Sequence, residues 1–121
     1  MSAIYLQDNI IEFEIVFLDP DNNNAPVDPT VVTFQFWFSP DGVTPPLPAG
    51  SVITYTGATV SAVNVISRVL NSDGIYCYRC RIDTTSIVIS PGASYGTGVG
   101  KWKSTGVGQG ADNDYVQVEP N

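Results

Sequence analysis

The sequence predicts an all-β sandwich, and three observations carry that expectation. Two stretches, 10–18 and 31–38, alternate apolar and polar residues with the two-residue period of a half-buried strand. Nine prolines and eleven glycines are spread along 121 residues, so they punctuate short segments rather than form one low-complexity tract. Hydrophobic residues make up 43% and charged residues 14%, enough apolar side chain for one packed domain and too much for disorder. Residues 1–9 read as an N-terminal arm or short strand, and 10–121 as a single domain.

In chain order, the first firm strand runs from Ile10 to Leu18, with Ile11, Phe13, Ile15 and Phe17 on one face and Glu12 and Glu14 on the other. Asp19 to Pro29 follows as a loop. Asp19, Asp21 and Asn23 have the spacing that opens a calcium loop. Asn24 stands where glycine is needed and Thr30 where a bidentate glutamate is needed, so the segment reads as a solvated turn. The second firm strand is Val31–Phe38, with Val32, Phe34, Phe36 and Phe38 inward and Trp37 on the opposite face. Ser39-Pro40-Asp41-Gly42 closes it as a turn. The prolines of 43–50 lack the donors of a central strand, so that stretch reads as an edge or loop.

Val52–Thr56 reads as a short strand, and 63–69 as another, with an amphipathic helix over 60–70 as the alternative. Asn71-Ser72-Asp73-Gly74 then turns into a strand over 75–82, which is expected to pair with a returning strand at 100–106 as a long hairpin. In that second segment Trp102 is expected inward and Lys101 and Lys103 outward. Between them, 84–99 reads as an insert with a β-branched run, Ile87-Val88-Ile89, and a tip containing Tyr95. Such a loop is either a binding element or merely a mobile hairpin tip. Residues 105–111 read as a flexible crossing, and 115–118 as the last strand.

Charge narrows the partners. Twelve acids and five bases give a net charge of −7. No Lys or Arg precedes Arg68, whereas residues 1–67 hold seven acids. An anionic half of this kind repels nucleic acid and anionic membranes and suits a basic protein face. No stretch approaches the roughly 20 apolar residues of a membrane-spanning helix. The first nine residues lack the basic and apolar regions of a secretion signal, so folding in a cytoplasm is expected. Cys77 and Cys80 form a C-x-x-C, but three residues apart on a strand they face opposite ways. With no histidine and no third cysteine, zinc lacks ligands, and two separate reduced thiols are expected.

Gly74-Ile75-Tyr76 has the spacing found before the penultimate strand of immunoglobulin-like domains, with Tyr78 where antibody domains carry a cysteine. Other short motifs follow the same order as in one family. They are Pro26-Val27-Asp28-Pro29-Thr30, Ser39-Pro40-Asp41-Gly42, Asp83-Thr84, Gly100-Lys101-Trp102-Lys103-Ser104-Thr105-Gly106-Val107-Gly108 and Val116-Gln117-Val118. On these motifs, over residues 9–118, the chain resembles the small immunoglobulin-like virion structural proteins of tailed bacteriophages and prophages. Ala111-Asp112-Asn113-Asp114 also resembles that family's acidic lead-in to the last strand, and the insert near 86–98 departs from its short turn.

The resemblance implies an immunoglobulin-like antiparallel sandwich; the residues give it about seven strands, and the long hairpin insert near 86–98 is this chain's own addition. The resemblance also implies a virion component with no enzymatic activity and no cofactor, made in the host cytoplasm. A capsid decoration protein is the first placement, and a head–tail connector or tail accessory protein the second. Expected partners are the major capsid protein, neck or tail proteins, and further copies of the chain. Candidate contacts are Ile4, Tyr5 and Leu6 in the arm, where strand addition needs only backbone pairing, and Ile87, Val88, Ile89 and Tyr95 in the insert. Phe34, Phe36, Tyr76 and Trp102 are the expected structural anchors. A carbohydrate- or host-surface-binding module, with Trp37, Tyr95 or Trp102 as stacking platforms, is a third reading. Catalysis by a nucleophile–histidine pair is excluded because the chain has no histidine, and Glu12 and Glu14 read as a solvated strand face.

Overall fold

The computed structural model describes residues 3–6, 10–39, 52–84, 89, 92–108 and 110–119, with backbone alone for 3–6 and 111–115. The expected turn residues 40–42 and proline run 43–50, together with Ile87 and Val88, lie outside the described residues. Among the described residues there are ten strands: β1 (Ala3–Leu6), β2 (Ile10–Ile15), β3 (Leu18–Asp19), β4 (Ala25–Pro26), β5 (Val31–Ser39), β6 (Val52–Thr54), β7 (Ile66–Leu70), β8 (Tyr76–Asp83), β9 (Gly96–Thr105) and β10 (Gly110–Glu119). They form a five-stranded sheet A of order β1-β10-β9-β5-β6, a three-stranded sheet B of order β2-β8-β7, and the small β3–β4 hairpin. Every pairing is antiparallel except β1 with β10, so residues 3–6 form a short parallel edge strand.

The sheets pack through the residues that alternation placed inward. Ile11 and Phe13 of β2 and Val32 and Phe34 of β5 are each 1% exposed or less. Across the interface the Phe13 and Phe34 rings lie 5.0 Å apart, and Phe34 stacks obliquely on Trp102 at 4.6 Å. Aromatic side chains of this size each bury about 150–250 Å² and dominate a small core. Phe34 and Trp102 are thus core anchors, as expected, and Phe36 is partly buried against the same cluster.

The expected hairpin between 75–82 and 100–106 does not form. β8 pairs with β2 and β7 in sheet B, whereas β9 pairs with β5 and β10 in sheet A. The connection between them therefore crosses from one sheet to the other. The reason lies in Gly96 and Gly98, which the sequence suggested were loop, and in Gly100, where the returning strand was expected to begin. A β-carbon on Gly98 would stand 2.7 Å from Phe36 Cζ, and one on Gly100 2.7 Å from Phe34 Cζ and 2.8 Å from Phe13 Cε1. These glycines are strand residues with phenylalanine rings laid across them. β9 therefore belongs beside β5, and it begins at Gly96 rather than Gly100.

Three further expectations are corrected. The expected crossing at 105–111 is strand at both ends: β9 runs to Thr105, Gly106 and Gly108 take positive φ of 89° and 74°, and β10 starts at Gly110. The strand expected over 63–69 is Ile66–Leu70, without the alternative helix; the residues before it form isolated bridges at Ala58 and Val63. Tyr76 is not a core anchor. It is 49% exposed at the start of β8, and Tyr78, 3% exposed, is the tyrosine in the core.

Candidate interaction surface

The outer face of sheet A is built by the register of β5 on β9. Thr33 lies opposite Lys103 and Gln35 opposite Lys101, and β6 adds Val52 opposite Gln35. Because side chains on paired residues share a face, the inward placement of Phe34 and Trp102 sends both lysines outward, as alternation predicted. These residues line an open groove of about 390 Å³, with Val31 and Thr105 toward one end and Val52 on the β6 side. Val31 is 41% and Val52 58% exposed, so the walls are partly apolar. Thr33 Oγ1 donates to the Lys103 carbonyl at 3.4 Å. Among the described residues neither lysine makes an ion pair, and in register they face Asn113 and Ala111 rather than an acid.

The outer face of sheet B is charge-matched. Arg79 Nη2 donates to both oxygens of Glu14, at 3.1 and 3.2 Å, and Arg79 Nε lies 3.4 Å from Glu12, close enough to pair without hydrogen-bond geometry. Glu12 and Glu14 therefore hold an arginine between strands. Cys77 sits beneath them, its thiol donating to Glu14 Oε1 at 3.7 Å. Burial, and then the Glu14 charge, push the Cys77 thiol up. Cys80 faces the core, where burial pushes its thiol up to about 12. The two cysteines are free and on opposite faces of β8, as the three-residue spacing predicted.

A third polar cluster closes the seam between the β4–β5 segment and sheet B. Arg68 grips Asp28 with two bonds, Nε to Oδ1 at 2.8 Å and Nη2 to Oδ2 at 3.0 Å, and the Tyr78 hydroxyl donates to Oδ1 at 2.9 Å. The same guanidinium lies 4.0 Å above the Tyr76 ring. The Arg68 hydrogen bonds, helped by Tyr78, hold the Asp28 carboxyl below the usual carboxylate range. Burial, and then the bond to Asp28, push Tyr78 up to about 12.

The sequence-predicted contacts fall in separate places. Ile4, Tyr5 and Leu6 lie on β1, opposite Gln117, Val118 and Glu119 at the edge of sheet A. Ile89 packs against the core, so its side chain is partly spent on stability. Tyr95 is 43% exposed just before β9. Of the three aromatic platforms, Trp102 is 2% exposed and cannot stack on a ligand, whereas Trp37 lies on the outer face of sheet A opposite Val99. The Asp19–Asn23 spacing is explained by a turn. Asp19 Oδ1 accepts from the Asp21 amide at 3.0 Å, the Asp19 carbonyl accepts from Asn22 and Asn24, and Asn23 and Asn24 take positive φ. The lysine groove escaped sequence reasoning because it exists only once β9 is known to lie beside β5.

No protein-family model matches the chain, and neither a curated protein nor a solved structure does.

Proposed function

We propose that the chain is a non-enzymatic virion structural protein of a tailed bacteriophage, acting as a capsid decoration protein that docks on other virion proteins. Its place in a particle rests on the ordered sequence motifs. The observation favouring docking over chemistry is the distribution of charge. The carboxylates of Glu12, Glu14 and Asp28 are engaged by Arg79 and Arg68, while Lys101 and Lys103 project from the outer face of sheet A. A rigid sheet face whose lysines make no ion pair among the described residues, with partly apolar walls, suits recognition of another surface.

The same reading takes the fold as immunoglobulin-like. The order β10-β9-β5-β6 over β2-β8-β7 fits the strands G-F-C-C′ over B-E-D of variable-type sandwiches. In that alignment the inter-sheet disulfide is replaced by Phe13 of β2 lying over Gly100 of β9. Gly74-Ile75-Tyr76 then precedes strand E rather than strand F, so this motif does not support the reading and the strand order does.

Quantitative mass spectrometry of purified particles tests the role. Hundreds of copies per particle are expected of a decoration protein. About a dozen or fewer would move the chain to the neck or tail, the second placement, and its absence from particles would overturn the virion role.

A further inference from the structure

We propose that the groove of sheet A is a self-association site, which receives the acidic tip of the β3–β4 hairpin from a second copy of this chain. The inference rests on the reading of this face as a docking surface and names its occupant, and it holds or fails in solution without a particle.

The argument starts from charge. Of the five basic residues, Arg68 and Arg79 are held by carboxylates of their own chain; Arg81, opposite Glu12 in sheet B, and Lys101 and Lys103 make no ion pair among the described residues, and only the two lysines stand together on a face without acids in register. They line an open groove in a protein of net charge −7, so this is a local inversion of sign on an anionic molecule. Every copy carries the complementary feature. Pro20 to Asn24 form the tip of the β3–β4 hairpin, with Asp19 at the end of β3 beside it, and Asp21 is exposed. The tip is already ordered before contact: its two Asp19 carbonyl bonds, the Asp19 side-chain bond to the Asp21 amide and the ring of Pro20 fix its backbone. The groove is equally fixed, since its floor is the β5–β9 ladder. A preformed knob and a preformed groove lose little conformational freedom on meeting, which is where weak contacts otherwise fail.

Because knob and groove are different patches, the contact is reciprocal in a two-fold dimer or propagates from copy to copy. Two copies of charge −7 repel at long range, and that repulsion fades over about 10 Å at 0.1 M ionic strength. The pairwise contact is therefore weak, and repetition on an ordered surface strengthens it. Salt is a poor probe here, because it screens both the repulsion and the contact. Mixing two complementary charge-reversed variants separates them.

Sedimentation equilibrium over a wide concentration range is the test. Wild-type protein is expected to rise in average mass with concentration. Lys101→Glu/Lys103→Glu and, separately, Asp19→Asn/Asp21→Lys are each expected to weaken association by about tenfold, and a mixture of the two variants is expected to restore it. All three proteins should melt alike, since the altered side chains lie outside the core. Wild type remaining monomeric throughout, or association indifferent to both variants, would overturn the proposal. So would a monomeric wild type that binds an acidic peptide such as oligoglutamate at the groove, since the site would then belong to another protein.

Discussion

The hydroxyl of Tyr78 donates to Asp28 Oδ1 at 2.9 Å, the same oxygen that receives Arg68 Nε at 2.8 Å. One carboxylate thereby ties the loop before β5 to two strands of sheet B. Replacing Asp28 by Ala leaves a buried hydroxyl without its acceptor and should cost about 2 kcal/mol in chemical denaturation. Tyr78→Phe, which spares the Arg68 pair, should cost about 1 kcal/mol.

The same cluster sets a pH dependence at both ends. The Asp28 carboxyl is held below its unfolded value, so its stabilisation is present above that value and is lost as pH falls through the folded one. Unfolding free energy should therefore drop on acidification below about pH 4, and Asp28→Asn should flatten part of that slope. Tyr78 is pushed up to about 12 from 10, so its contribution is present below pH 10 and is lost as pH rises toward 12. Tyr78→Phe should reduce the alkaline loss, as measured by denaturation from pH 8 to 12.

Tyr76 and Tyr78 are two residues apart and should behave differently. Tyr76→Ala removes an exposed ring beneath Arg68 and should cost about 0.5–1 kcal/mol. Tyr78→Ala empties a core position packed against Phe17 and Tyr55 and should cost about 3–5 kcal/mol by thermal or chemical unfolding.

Glycines of β9 should be intolerant where rings cover them. Gly100→Ala places a methyl 2.7 Å from Phe34 and 2.8 Å from Phe13, so a loss of about 1–3 kcal/mol is expected from overpacking. Gly110→Ala meets nothing within 4 Å and should leave the unfolding midpoint unchanged or slightly raised.

Both thiols should be silent in the folded protein. Cys77 is 1% and Cys80 0% exposed, and both are pushed up by burial. A colorimetric thiol reagent at pH 8 should find no rapidly reacting group in native protein and two in denaturant. A fast-reacting native thiol would contradict the packing of β8.

Much of this molecule is legible in its residues. Alternation in β2 and β5 identifies Phe13 and Phe34 as core, and the parity of Lys101-Trp102-Lys103 places the lysines outside and the tryptophan inside. Pairing is less legible, because parity says which face a residue takes but not which strand lies alongside. β8 and β9 are neighbours in sequence yet belong to different sheets, because Gly98 and Gly100 fit under rings some sixty residues earlier in the chain. The first half of β10, Gly110 to Asp114, is composed like a loop and is held as strand by its ladder with β9. Gly-x-Tyr misdirects toward Tyr76 because the packing that distinguishes it from Tyr78 is tertiary. The groove depends on Gln35 meeting Lys101, a long-range pairing that no local motif encodes.

The central claim, that this chain acts by docking through the outer face of sheet A, is tested most directly by incorporation. Particles assembled with Lys101→Glu/Lys103→Glu protein should contain at least about tenfold less of the chain than wild-type particles, while the purified variant keeps the wild-type melting temperature. Equal incorporation of a well-folded variant would contradict the account.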